Sequence, residues 1–238
     1  EYSDRKIEQK DLESILESGM RASNCGNMQL YSIVVTRKQE NKDALCKLHF
    51  NQPMVKNADV VLTVCADVNR FHKYCELRGA KPAYNNFLWF QVSTIDAVIC
   101  SQAMVTAAET LGIGACYLGT VTYMAKPIAE LLNLPKHVIP VTTITLGYPA
   151  VMPELTERLP LSAVVHDEQY ENYNEIINGE QLFYLLEGVT GSGKSEIYFN
   201  LAKHYHSLGK SVILLVPEII LTSQIAARFK GYFKDELA

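Results

Sequence analysis

The segment from Leu88 to Leu111 places the tightest constraint on how this chain folds, because it is apolar or small on almost every side. A helix without a polar face needs contacts around most of its circumference, so it belongs in the centre of a fold or at a tight subunit interface. Asp96, Gln102 and Glu109 lie within the segment and argue against a membrane span. Gly112 follows in the favoured place for a helix C-cap.

The composition agrees with a soluble globular protein. The 238 residues are 48% hydrophobic and 20% charged, which is enough for one full domain, or for one domain plus a fragment. The net charge of −4 argues against a generally basic surface that coats nucleic acid. Six scattered cysteines without a C-x-x-C pair favour a reducing cytosol and no thiol-bound metal, and three of them are predicted to be core residues: Cys65, Cys100 and Cys116. We therefore predict a cytoplasmic protein without a membrane segment.

A polar elbow, residues 23–29, separates a predicted helix from a predicted strand. The helix runs from Asp11 to Met20 with apolar residues at the spacing of one buried face. The strand runs from Leu30 to Thr36 and is rich in aromatic and β-branched residues. The elbow itself is dense in side-chain amides and hydroxyls, which usually close a turn. Its residues alone leave open whether it also binds a ligand.

The remaining elements alternate along the chain up to a change of character at residues 178–180. We predict short helices at 41–48 and 127–132, and strands at 59–66, 115–118 and 138–146. The strand at 59–66 is a nearly continuous apolar run, which suits burial on both faces of a sheet. The six histidines have no other metal-binding residues at ligand spacing, and they are predicted to be surface or capping residues rather than ligands. Cys25 lies in the elbow, where a single cysteine is more often incidental than nucleophilic.

Several short motifs occur together in one order along residues 1–175. They are Arg21-Ala-Ser-x-x-Gly-Asn-Met-Gln-Leu-Tyr-Ser, Asn51-Gln52, Ala58-Asp-Val-Val-Leu, Ala107-Ala-Glu-Thr-Leu-Gly-Ile-Gly-Ala-Cys-Tyr-Leu-Gly119, Leu131-Leu-Asn-Leu-Pro135, Leu146-Gly-Tyr-Pro149 and Arg158-Leu-Pro-Leu. In this register the chain resembles the FMN-dependent nitroreductases, and within them the oxygen-insensitive nitroreductase and flavin reductase group. Each motif alone is modest, and their common order carries the resemblance.

The resemblance implies a fold and a cofactor. The expected fold is α+β, a mixed sheet flanked by helices, with two subunits clasped around a long central helix and FMN in each interface. The segment 88–111 is the natural candidate for that helix. By the same resemblance, side chains on the flavin ring or ribityl chain are Ser23, Asn27, Gln29 and Gln52, backbone contacts come from Tyr117, Leu118 and Gly119, and Arg158 pairs with the phosphate. Side-chain amides suit the ring edges, and arginine suits a phosphate.

The implied activity is a ping-pong oxidoreduction in which NAD(P)H reduces the flavin and a nitroaromatic, a quinone or free flavin then takes the electrons. The protein orients and tunes the cofactor, so no catalytic side chain is predicted. The family usually has an Arg-x-x-x-Arg phosphate grip near its start, and this chain, which begins at Glu1, starts just after it. Thr156 also stands where a lysine often precedes the arginine of the arm. Phosphate binding then rests mainly on Arg158, and we expect weakened FMN affinity.

A complete Walker A sequence occurs near the C-terminus, between a predicted strand at 182–186 and a predicted helix that ends near Leu208. Its glycines, Gly188, Gly191 and Gly193, would let backbone N–H groups wrap phosphate oxygens, with Lys194 neutralising charge and Ser195 holding Mg²⁺ with ATP. Residues 182–233 resemble the primosomal replication-restart helicase family. The acidic metal-binding strand, the arginine finger and the second motor lobe of that family are missing from the sequence, so ATP hydrolysis, unwinding and nucleic-acid binding are not expected.

The sequence therefore predicts two regions, an FMN-binding nitroreductase-like domain at 1–178 and an incomplete P-loop α/β fragment at 179–238. Two other hypotheses stay open. In one, the protein is an ATP-binding DNA helicase-related protein and the nitroreductase-like part is a scaffold. In the other, a flavin fold has lost its cofactor and persists as a dimeric binding module. A yellow colour that NAD(P)H bleaches would distinguish the first hypothesis from both alternatives.

Overall fold

A single sheet organises the N-terminal part of the molecule. Its strands are β1 (Tyr31–Thr36), β2 (Val60–Asp67), β3 (Gly114–Leu118) and β4 (Val138–Gly147), in the order β1-β2-β4-β3. All three pairings are antiparallel, with Tyr31 opposite Ala66, Val60 opposite Leu146 and Leu118 opposite Thr143. All eight residues of β2 are buried, as its apolar run predicts.

The computed structural model describes residues 1–82, 86–152, 155–156, 158–170 and 194–209. The chain divides into two compact units, Glu1–Pro153 and Glu154–Ala238. The helices of the first unit are α1 (Gln9–Met20), α2 (Gln39–Leu48), α3 (Pro53–Asn57), α4 (Asn69–Leu77), α5 (Phe87–Thr110) and α6 (Ala125–Leu131). Three-residue and four-residue 3-10 helices lie at Cys25–Asn27 and Gly119–Thr122.

The long helix α5 packs one face against the sheet and α1. Its buried residues follow helical spacing, and they include Ala97, Cys100, Met104 and Ala108. Gly19 of α1 lies so close to α5 that a β-carbon there would be 2.5 Å from the Met104 side chain. This close crossing sets the position at which α1 ends and the elbow begins.

The opposite face of α5 is exposed although it is apolar. Ile95 is 50% exposed and Val98 is 48% exposed, and other large apolar side chains extend the patch: Phe87, Leu88, Phe90 and Ile99. By length and composition, α5 is the one described helix that would fit across a membrane. Core helices of soluble proteins pass the same test, and the buried face of α5 places it in this first unit's core.

The described part of the second unit contains a 3-10 helix at Leu161–Ala163 and the helix α7 (Lys194–Ser207). Gly209 ends α7 in a left-handed conformation, with φ 73° and its N–H bonded to the carbonyl of His206. This confirms the predicted helix after the Walker A sequence and its glycine cap. The predicted strand at 182–186 lies outside the described residues.

The α+β class, the flanking helices and the long helix are confirmed, with boundaries within two residues for α5 and for the strands of the sheet. Two details differ from expectation. The sheet was predicted to be mixed, whereas every pairing among the described strands is antiparallel. The short helix α3 was not predicted, and Pro53 occupies its first turn, a position that proline favours.

Candidate functional site

The elbow (residues 23–29) is a tight turn with left-handed residues. Gly26 has φ 56°, and Asn27 and Gln29 have φ 55° and 52°. Glycine adopts this region freely and asparagine tolerates it, which explains the composition of the turn. The side chain of Asn24 supports the same turn, because its Oδ1 accepts a hydrogen bond from the N–H of Gln29 at 3.2 Å.

A buried carboxylate from α5 holds both ends of the elbow. Oδ1 of Asp96 accepts a hydrogen bond from the N–H of Cys25 at 2.8 Å, and Oδ2 accepts one from the N–H of Leu30 at 3.3 Å. Asp96 is only 2% exposed. Two charge-assisted bonds from a rigid helix therefore fix where the turn starts and where β1 begins.

Arg70 of α4 clamps the exit of the elbow from the other side. Its guanidinium donates to the carbonyl oxygens of Gln29 and Tyr31, the latter at 3.0 Å, and to Oγ of Ser32 at 3.3 Å. Asp67 at the end of β2 accepts a hydrogen bond from Ser32 and lies 3.9 Å from the same guanidinium. The elbow backbone is thus held by two charged residues from different helices.

The side chains of the elbow that are predicted to bind the flavin ring are exposed or half-buried. Ser23 and Asn27 are exposed, and Gln29 is half-buried. The Gln29 amide donates to the carbonyl and the side-chain oxygen of Asn27 at 3.3 and 3.4 Å. These bonds are long and join exposed groups, so a ligand with its own donors and acceptors can replace them at small cost.

A second group of predicted residues is built from two other turns. We call residues 49–52 the His49 turn and Gly119–Thr122 the Gly119 turn. Nδ1 of His49 lies 2.6 Å from Oγ1 of Thr120, so one hydrogen bond joins them. The N–H of Gln52 donates to the carbonyl of His49, and the carbonyl of Gln52 accepts from the N–H of Val55. Backbone hydrogen bonds therefore fix Gln52 within the His49 turn, and the His49–Thr120 bond joins that turn to the Gly119 turn.

His49 is the C-cap residue of α2, which agrees with the capping role predicted for the histidines, and its side chain is fully buried. Its Nε2 has no hydrogen-bond partner among the described residues. Burial lowers the pKa of His49 from 6.5 to about 4, because the charged imidazolium would lose its hydration. At neutral pH, His49 is an uncharged link between the two turns.

The third predicted set, Tyr117, Leu118 and Gly119, lies at the end of an edge strand. Within the described sheet β3 pairs only with β4, so alternate backbone groups of β3 point away from the sheet. Tyr117 is 41% exposed, and its hydroxyl donates to Gln102 at 3.4 Å. Burial raises the pKa of Tyr117 to about 12, so it stays protonated. A β-carbon added at Gly119 would meet nothing within 4 Å, which leaves open space there.

The elbow and the Gly119 turn lie at opposite edges of the sheet and at different levels along its strands, because β1 begins level with Ile139 near the start of β4, whereas β3 ends opposite Thr143 in the middle of β4. The elbow leads into the start of β1, and the Gly119 turn follows the end of β3. Three inter-strand steps separate β1 from β3, which is about 14 Å between backbones. Within one chain, the His49–Thr120 bond joins the turn that contains Gln52 to the turn that begins at Gly119, and Asn27 lies with Gln29 in the elbow, at the opposite edge of the sheet from the Gly119 turn.

The other predicted residues belong to the second unit. Arg158 is exposed, and its Nη1 donates to the carbonyl and the hydroxyl of Thr156. Lys194 and Ser195 begin α7. Gly188, Gly191 and Gly193 lie outside the described residues.

Sequence reasoning missed the residues that position the site: Asn24, His49, Arg70, Asp96 and Thr120. A signal existed for Asp96, since a carboxylate in an apolar helix needs hydrogen-bond donors. No comparable pattern marks Arg70 or Thr120, because their partners come from distant parts of the chain. Within the described part of the chain, no cluster of His, Cys, Asp and Glu has the makings of a metal site.

Two family descriptions match the chain. Residues 1–148 match the Nitroreductase family. Residues 163–238 match the description "Type III restriction enzyme, res subunit", which agrees with the helicase-like character predicted for this region.

The relatives agree with the first match. The FMN reductase (NADPH) of Bacillus subtilis is 32% identical over 171 residues, 71% of this chain and 69% of the relative. The oxygen-insensitive NADPH nitroreductase of Salmonella typhimurium is 32% identical over 192 residues, 79% and 78% of the two chains. Among solved structures, the NfrA1 nitroreductase from B. subtilis is similar with a TM-score of 0.72 and 26% identity, covering 99% of this chain and 89% of that one.

Proposed function

Because the chain belongs to the nitroreductase family, we propose that it is an FMN-dependent NAD(P)H oxidoreductase whose acceptors are nitroaromatics, quinones or flavins. The observation that carries the proposal is the match of residues 1–148, which include the elbow and the Gly119 turn, to the Nitroreductase family. The similarity to the FMN reductase (NADPH) over 69% of that relative's length supports it. When bound, FMN supplies hydride acceptance from NAD(P)H and electron delivery to the acceptor.

The residues present fit the ring of FMN. Asn27 and Gln29 offer amide donors and acceptors that are engaged only by each other in long bonds. Gln52 offers a third amide, and the edge of β3 offers backbone groups. The open space at Gly119 allows a planar ring to approach the backbone closely. We assign ring or ribityl contacts to Ser23, Asn27, Gln29, Gln52, Tyr117, Leu118 and Gly119.

We assign the phosphate of FMN to Arg158. A guanidinium presents parallel N–H donors that match two phosphate oxygens. Thr156, two residues earlier, already accepts hydrogen bonds from Arg158 and fixes the direction of its side chain.

The chain's own chemical task in this proposal is to orient the ring and to keep its surroundings uncharged. Tyr117 stays protonated, and burial also raises the pKa of Cys116. His49 stays neutral above its lowered pKa. The site therefore presents fixed dipoles to the ring.

We further propose a homodimer in which the exposed face of α5 is the interface. Large apolar side chains crowd this face, and a groove of about 690 Å³ runs beside it between Ser18 of α1 and Ile99 of α5. A second copy covers these side chains and brings the elbow of one chain to the Gly119 turn of the other. This arrangement supports the proposed site, because each chain alone holds its two groups at opposite sheet edges.

The C-terminal match supports a second proposal, limited to residues 179–238. The Walker A letters from Gly188 to Ser195, and the helix that begins at Lys194, are those of a P-loop segment. We propose that this region can bind a nucleotide phosphate with Mg²⁺, with Ser195 as a metal ligand, and that the boundary to the FMN-binding domain lies near residue 178.

Absorbance spectroscopy tests these proposals. The purified protein is incubated with FMN, dialysed, and titrated with NADPH and NADH without oxygen. A yellow protein that NAD(P)H bleaches, and that a quinone turns yellow again, is the expected result. A colourless protein with raised thermal stability in Mg-ATP would favour the helicase-related alternative. A colourless dimer that responds to neither would contradict both and favour a cofactor-free binding module.

A further inference from the structure

Two exposed aromatic rings meet above the His49 turn and the Gly119 turn. The centroids of Phe50 and Tyr123 are 6.4 Å apart, and the ring planes are tilted by 41°. Phe50 is 57% exposed and Tyr123 is 64% exposed. The pair thus leaves much of its aromatic surface open to solvent, beside residues that the proposed function gives to the flavin ring.

Both rings stand on fixed backbone. Phe50 directly follows His49, whose buried ring is bonded to Thr120 at 2.6 Å. The N–H of Tyr123 donates to the carbonyl of Thr120 at 3.1 Å. Thr120 is therefore bonded both to the residue before Phe50 and to the backbone of Tyr123. These two bonds fix the positions of the two rings relative to each other.

Phe50 keeps a backbone conformation that does not suit it. Its φ is 55°, and that of Asn51 is 57°. Asparagine tolerates this left-handed region, whereas a bulky residue there is an outlier, and glycine would adopt the conformation freely. Such conformations are retained where surrounding structure enforces them, and they concentrate at ligand-binding sites.

We propose that Phe50 and Tyr123 form an aromatic contact surface that binds a planar, electron-poor acceptor beside the flavin site. The inference rests on the proposed function and adds two residues that select among its acceptors. The faces of aromatic rings carry negative charge density, so they attract rings that electron-withdrawing groups have depleted. Nitroaromatics and quinones have this character. An inorganic acceptor such as ferricyanide has no ring and gains nothing from the surface.

The test compares acceptors in variants of the holoenzyme. Phe50→Leu removes the ring and keeps the bulk, and Tyr123→Leu does the same at the second position. Phe50→Gly removes the ring and places at this position a residue that adopts the φ of 55° freely. We expect each variant to raise KM for a nitroaromatic and for a quinone about 3–10-fold, the size of one aromatic contact. The KM for ferricyanide and the rate of flavin bleaching by NADPH stay unchanged.

Two further variants serve as controls. Tyr123→Phe keeps the ring and therefore keeps the KM for aromatic acceptors. Tyr74→Leu removes an aromatic ring that is 55% exposed on α4, away from both turns, and leaves every acceptor unaffected.

An unchanged KM for aromatic acceptors in all three ring-removing variants would overturn the inference. An equal loss with ferricyanide would also overturn it, because the rings would then support the flavin site in general. A parent protein that holds no flavin, or whose flavin NADPH does not bleach, would instead contradict the proposed function. The failures of the two proposals are therefore distinguishable.

Discussion

The elbow and the His49 turn are both held in place by side-chain hydrogen bonds, but charged side chains hold the elbow and a neutral one holds the His49 turn. The elbow is held by charges: the Asp96 carboxylate accepts from its two ends, and Arg70 donates to its exit. The His49 turn is held by a neutral imidazole that is fully buried and bonded to Thr120. The buried imidazole serves as a neutral anchor until acid charges it, and burial lowers its pKa to about 4. The two halves of the proposed site are therefore expected to fail under different perturbations.

Mixed dimers give the largest expected effect, because they test whether the two regions act on the same cofactor across an interface. One subunit carries Asn27→Ala with Gln29→Ala, which removes the elbow amides. The other carries Gly119→Trp, which fills the open space at the Gly119 turn. If each site combines the elbow of one chain with the turn of the other, one of the two sites is intact, and about half of the parent flavin binding and activity returns.

The homodimers of each variant set the baseline, and both are expected to lack flavin. A mixed dimer of the parent with Gly119→Trp gives about half activity whether sites are shared or not, which calibrates subunit exchange. Mixed variant dimers as inactive as the homodimers would mean that each chain binds flavin alone. The regions would then have to meet across the sheet of one chain, and the shared-site proposal would be wrong.

The next largest effect is expected when Asp96, the charged residue that anchors the elbow, is replaced. Asp96→Ala deletes two hydrogen bonds to a buried carboxylate, so we expect it to lower the free energy of unfolding by about 3–4 kcal/mol. The elbow loses its register at both ends, and flavin affinity falls with it. Urea denaturation and flavin titration measure the two consequences.

The other acidic residue of α5 provides a matched control. Glu109 is exposed, and Glu109→Ala is expected to change the unfolding free energy by less than about 0.5 kcal/mol. Asp96→Asn keeps one acceptor oxygen in the same shape, and an intermediate loss is expected. A loss at Asp96→Ala no larger than that at Glu109→Ala would show that the elbow does not depend on α5.

The contrast between the two regions also explains what the sequence could predict. The apolar run of β2, the helix α5 and the polar elbow were predictable, because local periodicity and turn composition encode them. The family pattern supplied the side chains assigned to the ring. The anchors were not predictable, since Asp96 meets Cys25 across 71 positions and His49 meets Thr120 across another 71. The all-antiparallel order of the sheet is likewise a long-range property that no single strand reveals.

The neutral anchor gives the third prediction, a pH-dependent loss of stability. The unfolded chain binds a proton at His49 below pH 6.5, whereas the folded chain does so only below about pH 4. Between these values the unfolded state holds more protons, so the free energy of unfolding falls as the pH falls. The full loss is up to about 3 kcal/mol, it is complete near pH 4, and the contribution is fully present above pH 6.5.

A comparison of variants separates the contribution of His49 to the pH dependence of unfolding from that of the carboxylates. His49→Asn places an amide near the position of Nδ1, so it can still bond Thr120, yet it does not titrate. Denaturant unfolding between pH 4 and 7.5 is expected to show a slope for the parent that is steeper than that of His49→Asn by up to about 1.4 kcal/mol per pH unit. Equal slopes for the parent and His49→Asn would mean that the imidazole gains a proton without cost. Water would then have to reach Nε2 in the folded protein, and the neutral anchor would not distinguish the His49 turn from the elbow.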